Sequence, residues 1–167
     1  ALMRRLMTEG EEFDVTPYGT EALGVMRIEK GHAAGNELNG TTTALNLGMG
    51  RMVSKTKDSI GAVLSRRAGL NTEDALMQVG FKPLDPAQKV TAGGHLMAAD
   101  GPVDAAHDQG YVTSAAYSPT LGTMIGLGFL KDGGNRTGER LRLVSPLTDL
   151  TAAAEVSSPH FVDPDWT

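Results

Sequence analysis

The chain has 167 residues with a formal net charge of −5, no cysteine, 40% hydrophobic and 5% aromatic residues. The acidic balance argues against general nucleic-acid binding, which needs a basic face. The lack of cysteine excludes disulfides, thiolate metal sites and a cysteine nucleophile, and no apolar run approaches the ~18 residues of a membrane-spanning helix.

The opening Ala-Leu-Met-Arg-Arg-Leu-Met is basic but has no long apolar stretch or cleavage site, so it is no secretory signal. It reads as mid-helix and suggests a piece of a longer polypeptide. Leu2, Met3, Leu6 and Met7 recur at helical spacing, predicting an amphipathic helix over residues 1 to 9 that stops at Gly10. Thr16-Pro17-Tyr18-Gly19 is a turn. A second helix follows, with Thr20 as its N-cap, Glu21 favourably placed at the positive end, and a stop near Gly31. Leu23, Met26 and Ile28 set part of this helix in a core. Arg27 and Glu29 therefore stand at a core boundary, solvated or paired, because a stranded charge there is costly.

Residues 32 to 43 are small and polar and read as an extended loop. Leu45, Leu47 and Met49 alternate with Asn46 and Gly48, predicting a strand that continues to Val53. Lys55-Thr56-Lys57-Asp58 is a polar turn. Ile60 to Arg67 reads as a short helix with Ile60, Val63 and Leu64 inward, ended by Gly69.

From about Ala75 short apolar runs alternate with turn clusters, the pattern of a small antiparallel β barrel or sandwich. The predicted strands are Leu76 to Phe81, His95 to Ala98, Gly110 to Ala115, Thr123 to Leu130, Arg140 to Val144 and Leu147 to Val156. The fold class is thus α+β: a partial α+β segment over residues 1–72, followed by a barrel over residues 73–167. The end of the chain, through Trp166, is Pro-interrupted and irregular and is expected to lie across the barrel.

Four histidines lack metal-like spacing, so no metal is assigned. Ser114 and Ser118 sit in no nucleophile motif. The glycines from Gly122 to Gly128 lie within a strand and open no helix, so this chain has no dinucleotide site.

Three ordered runs carry a family resemblance. Tyr18-Gly19-Thr20-Glu21-Ala22-Leu23-Gly24-Val25-Met26-Arg27-Ile28-Glu29-Lys30-Gly31-His32 resembles the folate-binding segment of the aminomethyltransferase family, usually Leu-Arg-Leu-Glu-x-Gly. Gly48 to Lys55 resembles the glycine-punctuated strand that follows it, and Val112 to Gly122 resembles the signature of the family's C-terminal barrel. The Ile-Glu-Lys-Gly-His form, opened by Pro-Tyr-Gly-Thr-Glu-Ala, is most similar to the C-terminal part of the α subunits of heterotetrameric sarcosine oxidases. The T-protein of glycine cleavage is the nearest rival, and a non-catalytic subunit-docking barrel is a rival of another class.

The resemblance implies that Glu29 accepts hydrogen bonds from the pterin ring of tetrahydrofolate. A carboxylate offers two adjacent acceptors to two adjacent donors. Tyr18 is either a packing residue or an aromatic wall for the ligand. Lys55 and Lys57 are either a solvated turn or, as the resemblance implies, contacts for the folate's glutamate tail. Arg51 departs from the aromatic residue common at its place, and Arg27 reads as structural, paired with a carboxylate. No run here corresponds to the family's catalytic aspartate. FAD, FMN and NAD sites are expected outside this chain, on upstream sequence or partner subunits, so the chain alone is expected to be inactive. Its expected location is the cytoplasm.

Overall fold

The computed structural model describes residues 1–165. Three α-helices, α1 (Leu2–Glu9), α2 (Thr20–Glu29) and α3 (Ile60–Ser65), precede six strands. These are β1 (Leu76–Pro83), β2 (His95–Ala98), β3 (Gly110–Ser118), β4 (Thr123–Lys131), β5 (Arg140–Ser145) and β6 (Leu150–Ser157). The strands close into a barrel in the order β1-β4-β3-β2-β5-β6, with every pairing antiparallel.

Alternation in the sequence builds the barrel interior. β6 is buried at every second residue, placing Ala152, Ala154 and Val156 on one face, as a strand's period of two requires. The interior is a single cluster in which Phe81, Leu96, Leu130, Leu141 and Leu143 are fully enclosed. Each such side chain contributes roughly 1.5–3 kcal/mol by leaving water.

β4 is different, being buried on both faces from Ile125 to Leu130. Its second face, Ile125 and Leu127, packs against Ile28 of α2, with Ala116, Leu121 and Phe161 around them. A helix lying on the outside of the barrel thus explains why this strand reads as a continuous apolar run.

The six predicted strands are all present, five of them reaching further at their C-terminal ends than predicted. The last begins at Leu150 instead of Leu147, because Pro146–Thr148 forms a 3-10 turn with Leu147 fully exposed. Three predictions before residue 75 need correction. Residues 45 to 53 form no strand: Gly48 turns back to Leu45 at φ 72°, and Gly50–Met52 is a 3-10 turn. In α3, Ile60, Val63 and Leu64 face outward, Ile60 almost completely. The N-cap of α2 is Gly19, and Thr20 is its first helical residue. Within the predicted loop of residues 32 to 43, Gly35–Glu37 also winds into a 3-10 turn.

Neither α1 nor α3 contains a buried residue. Backbone hydrogen bonds open locally where few apolar contacts cover them. Amide exchange should therefore be fast through α1 and α3 and slow through β3 and β4. Equal protection in the two regions, measured by hydrogen–deuterium exchange, would contradict this.

Candidate functional site

α2 holds three consecutive residues against the barrel in three ways. Ile28 enters the apolar cluster described above. Arg27 reaches Ser114, its Nη2 donating to Oγ at 2.6 Å. Glu29 reaches Ser118, whose Oγ donates to Oε1 at 2.5 Å. Ser114 and Ser118 lie four apart on β3 and so share one face of the strand.

The C-terminal carbonyls of a helix have no partner within the helix. Here the segment after β6 supplies donors. The backbone N–H groups of Phe161 and Val162 donate to the Glu29 carbonyl at 2.8 and 3.1 Å, and His160 Nδ1 donates to the Lys30 carbonyl at 2.8 Å. Lys30 Nζ pairs with Asp163 at 2.7 Å. Gly31, at φ 71°, lies so close to Pro159 that a Cβ would stand 2.5 Å from its carbonyl oxygen, which explains the glycine in Glu-Lys-Gly-His.

The second polar centre is Glu37, fully buried. Its Oε2 accepts from Arg27 Nη1 at 2.9 Å and from the Ala34 N–H at 3.0 Å. Its Oε1 accepts from the hydroxyls of Thr113 at 2.5 Å and Ser114 at 2.6 Å. Successive side chains of a strand point to opposite faces, so two neighbouring hydroxyls reach one oxygen only because the β3–β4 register slips between Val112 and Ser114. Arg27 is therefore structural and paired with a carboxylate, as its position predicted.

Burial pushes the Glu37 carboxyl up, but the hydroxyls of Ser114 and Thr113, the Ala34 N–H and the Arg27 charge outweigh it and hold the pKa below its ordinary 4.5. A carboxylate whose pKa is lowered by folding gives stability that is fully present above its unfolded pKa and lost as pH falls through the folded value. The urea midpoint should therefore fall on acidification below about 4.5, and Glu37→Gln should flatten that fall. An equally steep acid limb in the variant would contradict the assignment.

The predicted site residues are not assembled into one cluster. Glu29 is buried, with Oε1 bonded to Ser118 and Oε2 without a protein donor among the described residues. Tyr18 is exposed in the turn before α2. Lys55 and Lys57 are exposed on the turn that Ser54 organises by accepting the Thr56 and Lys57 N–H groups. Lys55 borders a separate cavity of about 270 Å³ beside Arg66 and Asn71. No hydrogen bond or ion pair among the described residues joins Glu29, Tyr18 and the two lysines.

Sequence reasoning missed Glu37, Thr113 and the bonds of Ser114 and Ser118. Ser118 lay beyond the predicted strand, which stopped at Ala115, whereas β3 runs to Ser118; Glu37 stands in a polar stretch without period, and only the fold brings it to β3.

A family model of the glycine cleavage T-protein C-terminal barrel domain matches residues 77–163. The chain belongs to this family. Residues 1–57 match the family's N-terminal domain. The sarcosine oxidase subunit alpha of Rhizobium meliloti (strain 1021) is 42% identical over 160 residues, covering 95% of this chain and 16% of that protein. That of Corynebacterium sp. (strain U-96) is 37% identical over 93% of this chain and 16% of its own length. An aminomethyltransferase of Halothermothrix orenii is 32% identical over 83% of this chain and 37% of its own length. The chain thus spans about a sixth of the sarcosine oxidase relatives. The crystal structure of glycine cleavage system aminomethyltransferase T from Bartonella henselae superposes with a TM-score of 0.71 over 98% of this chain and 43% of that one, at 21% identity, and so shares the family fold.

Proposed function

We propose that the chain acts as the folate-side end of a sarcosine oxidase α subunit. There it contributes one wall of a tetrahydrofolate site that captures the methylene group of oxidised sarcosine as 5,10-methylenetetrahydrofolate. The observation that carries this is the 42% identity to a sarcosine oxidase α subunit across 95% of the chain, against 32% across 83% for an aminomethyltransferase. In this reading the parent protein is a cytoplasmic oxidoreductase with FAD, FMN and NAD held outside this chain. Its partners are the other oxidase subunits and the N-terminal part of the same polypeptide, and the chain alone turns over no sarcosine. Residues 1–72 act as part of the folate domain and residues 73–167 as its closing barrel.

The residues fit a pterin in part. Glu29 Oε2 has no protein donor among the described residues and is a charged acceptor for one pterin N–H, while Oε1 is engaged by Ser118. A two-donor contact therefore requires the Ser118 hydroxyl to turn away. Tyr18 supplies an exposed ring for stacking, and Lys55 and Lys57 supply cations for the glutamate tail. Bound folate contributes the amine that takes up the one-carbon unit; this chain's part is to orient the ring and hold its charge pattern.

The test is product partition in the parent enzyme. With sarcosine and tetrahydrofolate, one-carbon units should leave as 5,10-methylenetetrahydrofolate, and without folate as formaldehyde. Equal formaldehyde release in both conditions would overturn the proposal.

A further inference from the structure

The two sides of β3 are paired unequally. Toward β4 it is paired from Gly110 to Ser118, but toward β2 only at Gly110 and Tyr111. Just beyond, Val112 exchanges backbone hydrogen bonds with Gly93 and Gly94, and the Asn36 amide donates to the Thr113 carbonyl. From Ala115 to Tyr117 the side away from β4 has no backbone partner among the described residues. Alternate residues of such an edge aim an N–H and a C=O sideways at strand spacing. Closing a barrel normally removes its edges; here the four-residue β2 is too short to do so.

This open edge forms one wall of a cleft of about 1030 Å³, whose opposite wall is α2 from Glu21 to Ile28. Small and larger residues alternate in its walls: Ala22 and Gly24 beside Val25 and Ile28 on the helix, Ala115 and Ala116 beside Tyr117 on the strand. Two of the residues bordering the cleft are charged. Arg27 is balanced by Glu37, whereas Glu21 forms no ion pair among the described residues.

We propose that the cleft takes an extended segment of a partner polypeptide, added as a strand beside β3. Free main-chain donors and acceptors at strand spacing match another main chain, the recognition mode in which backbone bonds give affinity and alternate side chains give specificity. The glycine and alanine positions leave room for the added backbone, and Val25, Ile28 and Tyr117 offer apolar surface to its side chains. The uncompensated Glu21 selects a segment that is neutral or basic, never acidic. That the segment comes from a separate protein rests on the oxidase reading above, since those relatives are named as one subunit of an assembly; slow amide exchange at residues 115–117 in the parent polypeptide without any partner would make the same polypeptide the occupant and overturn the proposal.

The probe is the capped peptide Lys-Thr-Val-Thr-Val-Lys, with two N-methylated forms that block alternate N–H groups. Titrated into the 15N-labelled chain, the parent peptide should shift the amides of residues 113–117 and 19–25 and slow exchange along the β3 edge. One methylated form should bind at least about 10-fold more weakly, by losing two or more hydrogen bonds of ~1 kcal/mol each, while the other binds as the parent does. Glu21→Lys, on an exposed position, should weaken the basic peptide. No shifts at millimolar peptide, or equal binding of both methylated forms, would overturn the proposal. So would concentration-dependent protection of this edge without peptide, which would make a second copy the occupant. Tetrahydrofolate titrated into the parent enzyme reports on the Glu29 site, so failure of the folate reading and failure of the strand site are separable.

Discussion

Glu37→Ala should lower stability by about 3 kcal/mol, because removing one partner of a buried ion pair strands the other and typically costs about 3–5 kcal/mol. The lower figure applies because the Arg27 side chain keeps 22% exposure and recovers some hydration. The same change also strips an acceptor from the hydroxyls of Thr113 and Ser114. Domains are commonly stable by only ~5–15 kcal/mol, so the loss is a large fraction of the whole, visible as a fall of roughly 6–12 °C in Tm. The double variant Arg27→Met with Glu37→Leu should recover most of it, since exchanging a whole buried pair for apolar residues is often neutral. A single variant that melts within 2 °C of the parent, within about 1 kcal/mol, would show that the network contributes little.

Glu29→Gln should leave the melting temperature nearly unchanged and weaken tetrahydrofolate binding in the parent protein. The amide oxygen can still accept the Ser118 hydroxyl, so the helix keeps its anchor. The other end of the side chain changes from a charged acceptor to an N–H donor facing a pterin donor. One charge-assisted hydrogen bond is worth roughly 1.5–3 kcal/mol, which corresponds to an affinity loss of about 10- to 100-fold. Sarcosine oxidation should continue, with more of the one-carbon unit released as formaldehyde. Unchanged folate affinity in a folded variant would make Glu29 only the anchor of α2.

Where the sequence was a reliable guide, local pattern and tertiary environment agreed. Strands β5 and β6 alternate because one face meets the barrel interior. Of Leu23, Met26 and Ile28, read together as partly core, only Ile28 is buried; Leu23 and Met26 are exposed. The misread stretch 45 to 53 has the alternation of a strand, yet Leu45 and Met49 are exposed and Gly48 takes a left-handed turn. Period alone shows which residues share a face, and says nothing of whether that face meets a neighbour. The same holds for Ile60, Val63 and Leu64, whose helical spacing is real but whose face is turned outward.

The site divides along the same line. Arg27 and Glu29 were identifiable as boundary charges, since the helix forces them beside Ile28. Their partners Ser114, Ser118 and Glu37 were not, because each contact joins segments that no local rule relates. Lys55, Lys57 and Tyr18 stand exposed on turns, apart from Glu29, so a shared ligand is what would unite them.

The most direct measurement of the central claim is a crystal structure of the parent polypeptide with tetrahydrofolate bound. The pterin N–H edge should lie within hydrogen-bond distance of Glu29 Oε2, with Tyr18 against the ring and the glutamate tail running toward Lys55 and Lys57. A pterin bound elsewhere, with Glu29 still engaged only by Ser118, would contradict the account.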